Sequence, residues 1–184
     1  MRIVAGSAKG VRLAPVPPGV RPVSDAAREG IFSSLAEHVP GARVLDLYAG
    51  TGAMGIEALS RGAERALLVE RDRAAVRTIR DNLTRAKVAD RAELVTSDVL
   101  SFVRGNDDRA DATDLVFADP PYAIADEELE AVLAALGART PFEGARRVVL
   151  TRSRKSSTPV IPVHWLLARR LTYGDTLVLI FQEA

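Results

Sequence analysis

The sequence predicts an α/β fold built on one mostly parallel, seven-stranded sheet with helices on both faces. Three observations lead to this prediction. Apolar runs alternate with helical patterns through residues 43–150, as expected where crossover helices join parallel strands. Residues 164–184 break that alternation and predict an antiparallel C-terminal hairpin. Residues 2–16 contain two short extended runs around a turn, which predict an N-terminal β-hairpin extension.

The predicted strands share an apolar run that ends in charged or turn-forming residues. In chain order they lie at 43–50, 65–71, 92–98, 113–122 and 146–152, followed by two strands within 164–184 on either side of Tyr173, Gly174 and Asp175. The segments between them place apolar residues at helical spacing. These helices are predicted at 53–62, 73–86, 99–105 and 126–138.

Residues 1–40 are predicted to form an extension, and residues 41–184 the main domain. The extension begins with the basic hairpin, and the proline-rich residues 17–22 predict a stiff connector. Ser24 is expected to cap a helix that runs to about His38, because its hydroxyl oxygen suits the exposed amides of a helix start.

The composition suits a single domain with a proper core. The chain has 184 residues, of which 47% are hydrophobic and 27% are charged. The absence of cysteine excludes disulfides, thiolate nucleophiles and cysteine-ligated zinc. His38 and His164 are far apart in the sequence, so we expect no metal site. No membrane-length apolar run and no secretory signal are visible, so we expect a cytoplasmic protein, and a monomer.

Basic residues are concentrated at the two ends of the sequence, although the net charge is only +1. Residues 142–170 hold one group, and the group within residues 1–30 consists of Arg2, Lys9, Arg12, Arg21 and Arg28. Basic ends around a more acidic middle indicate a polyanion partner. For any single basic side chain, an ordinary solvated surface charge is the alternative.

A glycine-rich loop follows the first predicted strand. Gly50, Gly52 and Gly55 match G-x-G-x-x-G, and Glu70 lies twenty residues after Gly50, a spacing typical of dinucleotide sites. Asp46 argues against NAD, because a strand-end carboxylate would face the pyrophosphate, and no later segment suggests hydride transfer. The carboxylate suits a cationic ligand instead, such as S-adenosyl-L-methionine (SAM). A purely structural strand–helix turn is the alternative.

Carboxylates at three successive strand ends favour the SAM hypothesis. We expect Asp46 to hold the methionine end, Glu70 to accept both ribose hydroxyls and Asp98 to accept the adenine amino group, with the Val99 amide donating to the ring. The predicted cofactor-binding residues are Asp46, Tyr48, Gly50, Thr51, Gly52, Glu70, Arg71, Asp98 and Val99.

The motif Asp-Pro-Pro-Tyr at residues 119–122 follows the fourth strand. A nucleobase amine is a weak nucleophile, because its lone pair is delocalised into the ring. The Asp119 carboxylate and the Pro120 carbonyl can each accept one amine N–H and so orient that lone pair. Pro121 makes the backbone rigid, and Tyr122 offers a ring on which a flipped base can stack. These four residues are the predicted catalytic residues; a turn that merely closes the strand is the alternative.

Two stretches, VLDLYAGTGAMGIEALSRGA and VFADPPY, resemble the Rossmann-like class I SAM-dependent methyltransferases that modify amino groups. The N-terminal stretch RIVAGSAKGVRLAPVPPGVRPVSDAAREGIFSSL and the closing RLTYGDTLVLIF resemble the RsmD family of bacterial 16S rRNA guanine-N2 methyltransferases. The resemblance covers nearly the whole chain. It implies methylation of the exocyclic N2 of one guanine, number 966 in the usual 16S numbering, on the assembled small ribosomal subunit.

The resemblance also implies roles for residues outside the two motifs. The basic residues of the N-terminal extension are expected to contact rRNA, and Ser24, Asp25 and Arg28 match a segment expected to lie over the active site. One departure concerns Thr151 and Arg152, because many relatives have an acidic residue after the fifth strand.

Two alternatives stay open. Adenine-N6 methyltransferases also use Asp-Pro-Pro-Tyr, so the motif does not distinguish the two amines. Asp119 does argue against the glutamine-N5 enzymes, which have asparagine there. A small-subunit assembly factor that binds rRNA without catalysis is the second alternative, which the intact motifs disfavour.

Overall fold

The computed structural model describes residues 1–15, 22–139 and 146–183. In these residues seven strands form one sheet: β1 (Arg43–Leu47), β2 (Arg65–Glu70), β3 (Ala92–Thr96), β4 (Leu115–Ala118), β5 (Arg147–Ser153), β6 (Trp165–Tyr173) and β7 (Thr176–Glu183). The helices described are α1 (Asp25–Ser34), α2 (Ala53–Ser60), α3 (Arg73–Ala86), α4 (Val99–Arg104), α5 (Asp108–Asp111) and α6 (Asp126–Gly137), with a 3-10 turn at Ala89–Arg91. None of these helices is both long and apolar enough to cross a membrane.

The strands follow the order β3-β2-β1-β4-β5-β7-β6 across the sheet. Strands β1 to β5 are parallel, β7 is antiparallel to β5, and β6 is antiparallel to β7. The strand order reverses between β1 and β4, which is where open α/β sheets bind ligands. The predicted α/β class, the mostly parallel sheet and the antiparallel C-terminal hairpin are confirmed.

Apolar side chains cover both faces of the sheet, and this explains why the parallel strands are nearly continuous apolar runs. Helices α1, α2 and α3 pack on one face, where the rings of Phe32 in α1 and Phe117 in β4 lie 5.4 Å apart. Helices α4 and α6 pack on the other face, and the rings of Trp165 and Phe181 lie 5.7 Å apart within that layer.

The N-terminal hairpin is present, but its two arms form fewer hydrogen bonds to each other than two paired strands would. One antiparallel bridge joins Arg2 and Arg12, with hydrogen bonds from Ile3 N to Val11 O (3.0 Å) and from Gly10 N to Ile3 O (2.9 Å). The next amides of the first arm bond to helix α2 instead of the second arm. The competing bonds to α2 therefore explain why no regular strands form.

Glu57 of α2 anchors the hairpin from inside the protein. Its fully buried carboxylate accepts hydrogen bonds from Val4 N (2.8 Å), Ala5 N (3.0 Å) and Arg61 Nε (2.8 Å). Ser60, one turn later, donates its hydroxyl to Ala5 O at 2.6 Å. The hairpin is therefore docked by specific polar bonds as well as by apolar packing.

Helix α1 begins as predicted and ends earlier. The Ser24 side chain accepts from Ala27 N at 3.1 Å, which confirms the predicted cap. The helix ends at Ser34, so the predicted end near His38 is wrong. The reason is a tighter turn, in which His38 N bonds to Leu35 O at 2.8 Å in place of a carbonyl four residues back.

Two segments depart from the predictions or fall outside the structure. The sequence did not predict α5, because its four residues, Asp-Arg-Ala-Asp, carry no apolar period. The predicted connector at 17–22 lies outside the described residues, apart from Pro22.

The division between residues 1–40 and 41–184 stays a prediction. Described residues from both parts share one core cluster.

We expect Glu57→Gln to lower the free energy of unfolding by about 3 kcal/mol, because it removes a buried charge that pairs with Arg61 and accepts hydrogen bonds from two hairpin amides. Denaturant titration measures this value. Glu64→Gln is the matched control, since Glu64 is exposed and should change stability by less than about 0.5 kcal/mol. Equal stability of the wild type and Glu57→Gln would contradict the anchoring role.

Candidate active site

A cavity of about 560 Å³ opens beyond the carboxyl ends of the parallel strands. Its volume lies within the range of small-molecule sites. The structure brings together the four predicted catalytic residues and eight of the nine predicted cofactor residues. The predicted residues that line the cavity are Asp46, Tyr48, Gly50, Thr51, Glu70, Arg71, Asp98, Val99, Asp119, Pro120, Pro121 and Tyr122.

The loop after β1 contains three residues whose backbone lies in the left-handed region. Tyr48, Gly50 and Gly52 have φ angles of 58°, 58° and 76°. Gly50 donates its amide to Glu70 Oε2 at 2.9 Å, and a Cβ at this glycine would meet no atom nearer than Tyr48 O at 3.8 Å. Gly52 is the predicted cofactor residue that does not line the cavity. A Cβ there would lie 3.2 Å from Leu68 Cδ2, so this glycine permits close packing at the start of α2.

Carboxylates from three neighbouring strands face this cavity. Asp46 belongs to β1, Glu70 ends β2 and Asp98 follows β3. Backbone amides hold all three: Gly50 N bonds to Glu70 as described above, Gly55 N bonds to Asp46 Oδ2 (2.9 Å) and Ser101 N bonds to Asp98 Oδ1 (2.9 Å). The cavity therefore carries fixed hydrogen-bond acceptors along one wall.

Asp46 is the most strongly perturbed of these acids. Burial raises the pKa of Asp46 to about 8, the nearby Asp119 and Glu70 act in the same direction, and the bond from Gly55 opposes them. Asp46 therefore holds a proton at neutral pH in the free protein. Because this pKa exceeds that of an unfolded aspartate, the proton stabilises the fold at low pH, and that contribution is lost as the pH rises towards 8. A cationic ligand would favour the charged carboxylate.

The hydroxyl of Tyr48 is buried and has no hydrogen-bond partner among residues 1–15, 22–139 and 146–183. Burial raises the pKa of Tyr48, and the charges of Glu128 and Asp98 raise it further. An unpaired buried hydroxyl costs free energy unless a ligand completes its hydrogen bond. Tyr48 lines the cavity, so it is a candidate ligand contact.

Asp119 is oriented by the strand next to its own. Ala118 pairs with Leu150, so Asp119 and Thr151 follow as neighbours, and the buried Thr151 hydroxyl donates to Asp119 Oδ1. Burial raises the pKa of Asp119 to about 6, and the Thr151 bond counteracts this rise. No donor from the described part of the chain reaches Oδ2 of Asp119. That oxygen is therefore available to a substrate.

The rest of the Asp-Pro-Pro-Tyr motif forms a turn at the cavity mouth. Pro121 O accepts from Ile124 N at 3.0 Å, which closes the turn and leaves the Pro120 carbonyl outside it. Pro120 is buried in the cavity wall, and the Tyr122 side chain is 48% exposed. The loop thus combines a fixed carboxylate, a rigid carbonyl and an accessible ring.

The prediction that Arg28 contacts RNA is wrong. Its side chain is fully buried, and Nη2 donates to Arg2 O (2.5 Å) and to Asp25 Oδ1 (2.6 Å). A guanidinium that is buried and hydrogen-bonded within the protein does not reach a phosphate at the surface. The other predicted RNA contacts divide into Arg2, Lys9 and Arg12, which are exposed on the hairpin, and Arg21, which lies outside the described residues.

Sequence reasoning missed the contact between Thr151 and Asp119, although strand register would have indicated it once β4 and β5 were known to be neighbours. Of the segment expected over the active site, Ser24, Asp25 and Arg28 are not among the described residues that line the cavity, whereas the two residues before it, Pro22 and Val23, are. The Ser24 side chain caps the N-terminus of α1.

Comparisons with known proteins agree with this geometry. The chain matches the family described as conserved hypothetical protein 95 over residues 1–182. It is 34% identical over 185 residues to the ribosomal RNA small subunit methyltransferase D of Escherichia coli K12, a match that covers 100% of this chain and 90% of that protein. The solved structure of the Escherichia coli protein yhhF has a TM-score of 0.83 at 34% identity, covering 100% of this chain and 97% of the other.

A more distant likeness concerns the fold alone. The magnesium protoporphyrin IX methyltransferase ChlM of Synechocystis PCC 6803, solved with bound SAM, has a TM-score of 0.68 at 15% identity, with 86% of this chain and 79% of the other covered. Together, the sheet order, the glycine loop and these matches define the chain as a Rossmann-like methyltransferase. It belongs to the family described as conserved hypothetical protein 95, the RsmD family that its sequence resembles.

We expect Thr151→Val to raise the pKa of Asp119 above its value of about 6, because the variant lacks the hydrogen bond that stabilises the carboxylate. The expected rise is about 1, equivalent to the ~1.4 kcal/mol of one charge-assisted hydrogen bond. A carbon-13 NMR titration of the Asp119 carboxyl measures it. Thr151→Ser keeps the hydroxyl and should restore the wild-type value; an unchanged pKa in Thr151→Val would refute the contact.

Proposed function

We propose that this protein transfers a methyl group from SAM to the exocyclic N2 amine of a guanine in 16S rRNA. The observation that carries the proposal is the meeting of residues 119–122 with three strand-end carboxylates in one cavity. The name of the Escherichia coli relative supports small-subunit rRNA as the substrate. The family resemblance supports guanine 966, in the usual numbering, and the assembled small subunit. The proposal includes a cytoplasmic monomer, with residues 41–184 as the cofactor-binding catalytic domain.

The residues of the cavity fit SAM. Glu70 can accept from ribose hydroxyls, Asp98 can accept from the adenine amino group, and the Val99 amide can donate to the ring. Asp46 suits the cationic methionine end, and the unpaired hydroxyl of Tyr48 supports a ligand with polar groups in this place. When bound, SAM supplies an electrophilic methyl group on a sulfonium.

The motif at residues 119–122 can hold the substrate amine. Oδ2 of Asp119 and the Pro120 carbonyl each accept one N–H, which directs the nitrogen lone pair into the cavity. Both acceptors also stabilise the positive charge that develops on the nitrogen during transfer. Because the pKa of Asp119 is about 6, its carboxylate is charged above that pH and can take the amine proton. The exposed ring of Tyr122 gives the flipped base a stacking surface.

The N-terminal hairpin is the proposed rRNA contact. Arg2, Lys9 and Arg12 are exposed on it, and their positive charges can neutralise rRNA phosphates. Helix α2 carries the hairpin through Glu57, and the loop that precedes α2 lines the cavity. The proposed RNA contact and the proposed cofactor site are therefore built on one helix.

The proposal is tested by mass spectrometry of 16S rRNA from a strain that lacks the gene and is complemented with wild type or with Asp119→Ala. We expect N2-methylguanosine at the target with the wild type. We expect transfer by Asp119→Ala to fall by about 100-fold or more, the scale of one active-site electrostatic contact. Normal methylguanosine in the deletion strain would contradict the assignment.

Asp90→Ala is the control, because Asp90 is exposed on the 3-10 turn and should complement fully. Methylation of an adenine amine in place of guanine would support the same chemistry on the other base. Binding of small subunits without any methyl transfer would favour the non-catalytic assembly factor.

We expect SAM binding at pH 7 to release nearly one proton, because Asp46 is protonated in the free protein and the ligand's positive charge favours its carboxylate. Calorimetry in two buffers of different ionisation enthalpy counts the proton from the difference in heat. The difference should vanish well above pH 8, where Asp46 is already charged. It should also vanish in Asp46→Asn and persist in Asp90→Asn; equal heats for the wild type at pH 7 would contradict the role of Asp46.

A further inference from the structure

A second cavity, of about 370 Å³, adjoins the active site. Tyr122 lines both cavities, and the second is otherwise lined by Ser153, Lys155, Ser156 and Asp175. These residues come from the end of β5, the loop after it and the turn between β6 and β7. Neither the cofactor nor the target amine has a contact assigned in this second cavity.

We propose that the second cavity binds the nucleotide next to the target guanine in the substrate RNA, with Lys155 as the contact to its phosphate. This inference rests on the proposed function, because it takes the substrate to be a polynucleotide and not a free base. It adds a binding site that shares Tyr122 with the cavity of the predicted cofactor residues.

The continuity of the RNA chain places a neighbouring nucleotide at this position. A base inside folded RNA must leave its stack to reach Asp119, while the flanking nucleotides stay outside the active site. Tyr122 is half exposed and is the residue shared by the two cavities. A nucleotide adjacent to a base stacked on Tyr122 is therefore within reach of the second cavity.

The lining groups match the chemistry of a nucleotide. Lys155 provides an exposed ammonium, and Ser153 and Ser156 provide hydroxyls, which are typical partners of RNA phosphate oxygens. The exposed Arg154 adds a second positive charge beside the cavity. Asp175 forms the opposite wall of the cavity, in the turn between β6 and β7.

The loop that carries these groups is fixed by its own hydrogen bonds. Ser153 accepts from Ser156 N at its carbonyl (3.0 Å) and from Lys155 N at its hydroxyl (3.3 Å). Arg154 N donates to Asp175 O at 2.7 Å, which ties the loop to the turn between β6 and β7. The two halves of the cavity are thus held together before RNA binds, and this reduces the entropy cost of binding.

Arg152 belongs to the same basic run and has a different task. Its buried side chain donates to Asp126 Oδ1 (2.8 Å) and to Ser157 O (3.2 Å), so its charge is used within the protein. Lys155 is the basic residue of this run that lines the second cavity. The phosphate contact is therefore assigned to Lys155 and not to Arg152.

The test compares Lys155→Gln with Lys87→Gln, because Lys87 is also an exposed lysine and caps the far end of α3. Small subunits from the deletion strain serve as the probe in filter binding over a salt series and in steady-state methyl transfer. For Lys155→Gln we expect Kd and KM to rise about tenfold with kcat unchanged. The slope of log K against the logarithm of salt concentration should become shallower by about 0.7–1, because one phosphate contact is lost. Lys87→Gln should match the wild type, and both variants should keep wild-type SAM affinity.

The outcomes separate the two hypotheses. If the wild type methylates guanine but Lys155→Gln matches Lys87→Gln in Kd, KM and salt slope, the inference is overturned. Loss of SAM affinity in Lys155→Gln would also overturn it, because the cavity would then serve the cofactor site. If the wild type binds subunits without methylating guanine, the proposed function fails, while a loss of binding confined to Lys155→Gln still supports an RNA contact here.

Discussion

The hydrogen bond from the Gly55 amide to the buried Asp46 carboxylate joins the end of β1 to the first turn of α2, and the rest of the site depends on this junction. It fixes the direction in which α2 leaves the sheet. The loop held between them places Gly50 against Glu70, and the same helix presents Glu57 to the N-terminal hairpin. This buried hydrogen bond thereby connects the wall of the cavity to the hairpin surface that is expected to contact RNA.

Asp46 and Asp119 lie at neighbouring strand ends, and their surroundings give these two aspartates different protonation states. Both carboxyls are surrounded by protein, and burial raises the pKa of each. Asp119 has a hydroxyl donor in Thr151, which limits the rise to about 6, whereas Asp46 has a single amide donor and two acidic neighbours and reaches about 8. Near neutral pH the Asp119 carboxyl is charged and can accept hydrogen bonds, whereas Asp46 holds a proton until a cationic ligand favours its charged form.

The parts of the site that follow from topology could be predicted from the sequence. Alternating strands and helices imply a parallel sheet, and the carboxyl ends of parallel strands meet at one edge, so Asp46, Glu70 and Asp98 were expected together. Contacts that depend on lateral strand order were not accessible, because Thr151 lies far from Asp119 in the chain. The burial of Arg28 was missed for a similar reason, since its acceptor, the carbonyl of Arg2, lies on the separate hairpin.

The position of β7 has a consequence for how the protein is made. Strand β7 lies between β5 and β6 although it comes last of the seven in chain order, so β5 is an open edge until residues 176–183 have been synthesised. An open parallel sheet is prone to wrong pairing during synthesis. Thr151 is paired with Val178 across this late junction, so the group that orients Asp119 is supported on its β7 side only when the final strand has been added. Chains without β7 therefore hold the donor to Asp119 through the pairing of β4 with β5 alone, and the second side of its support is added last.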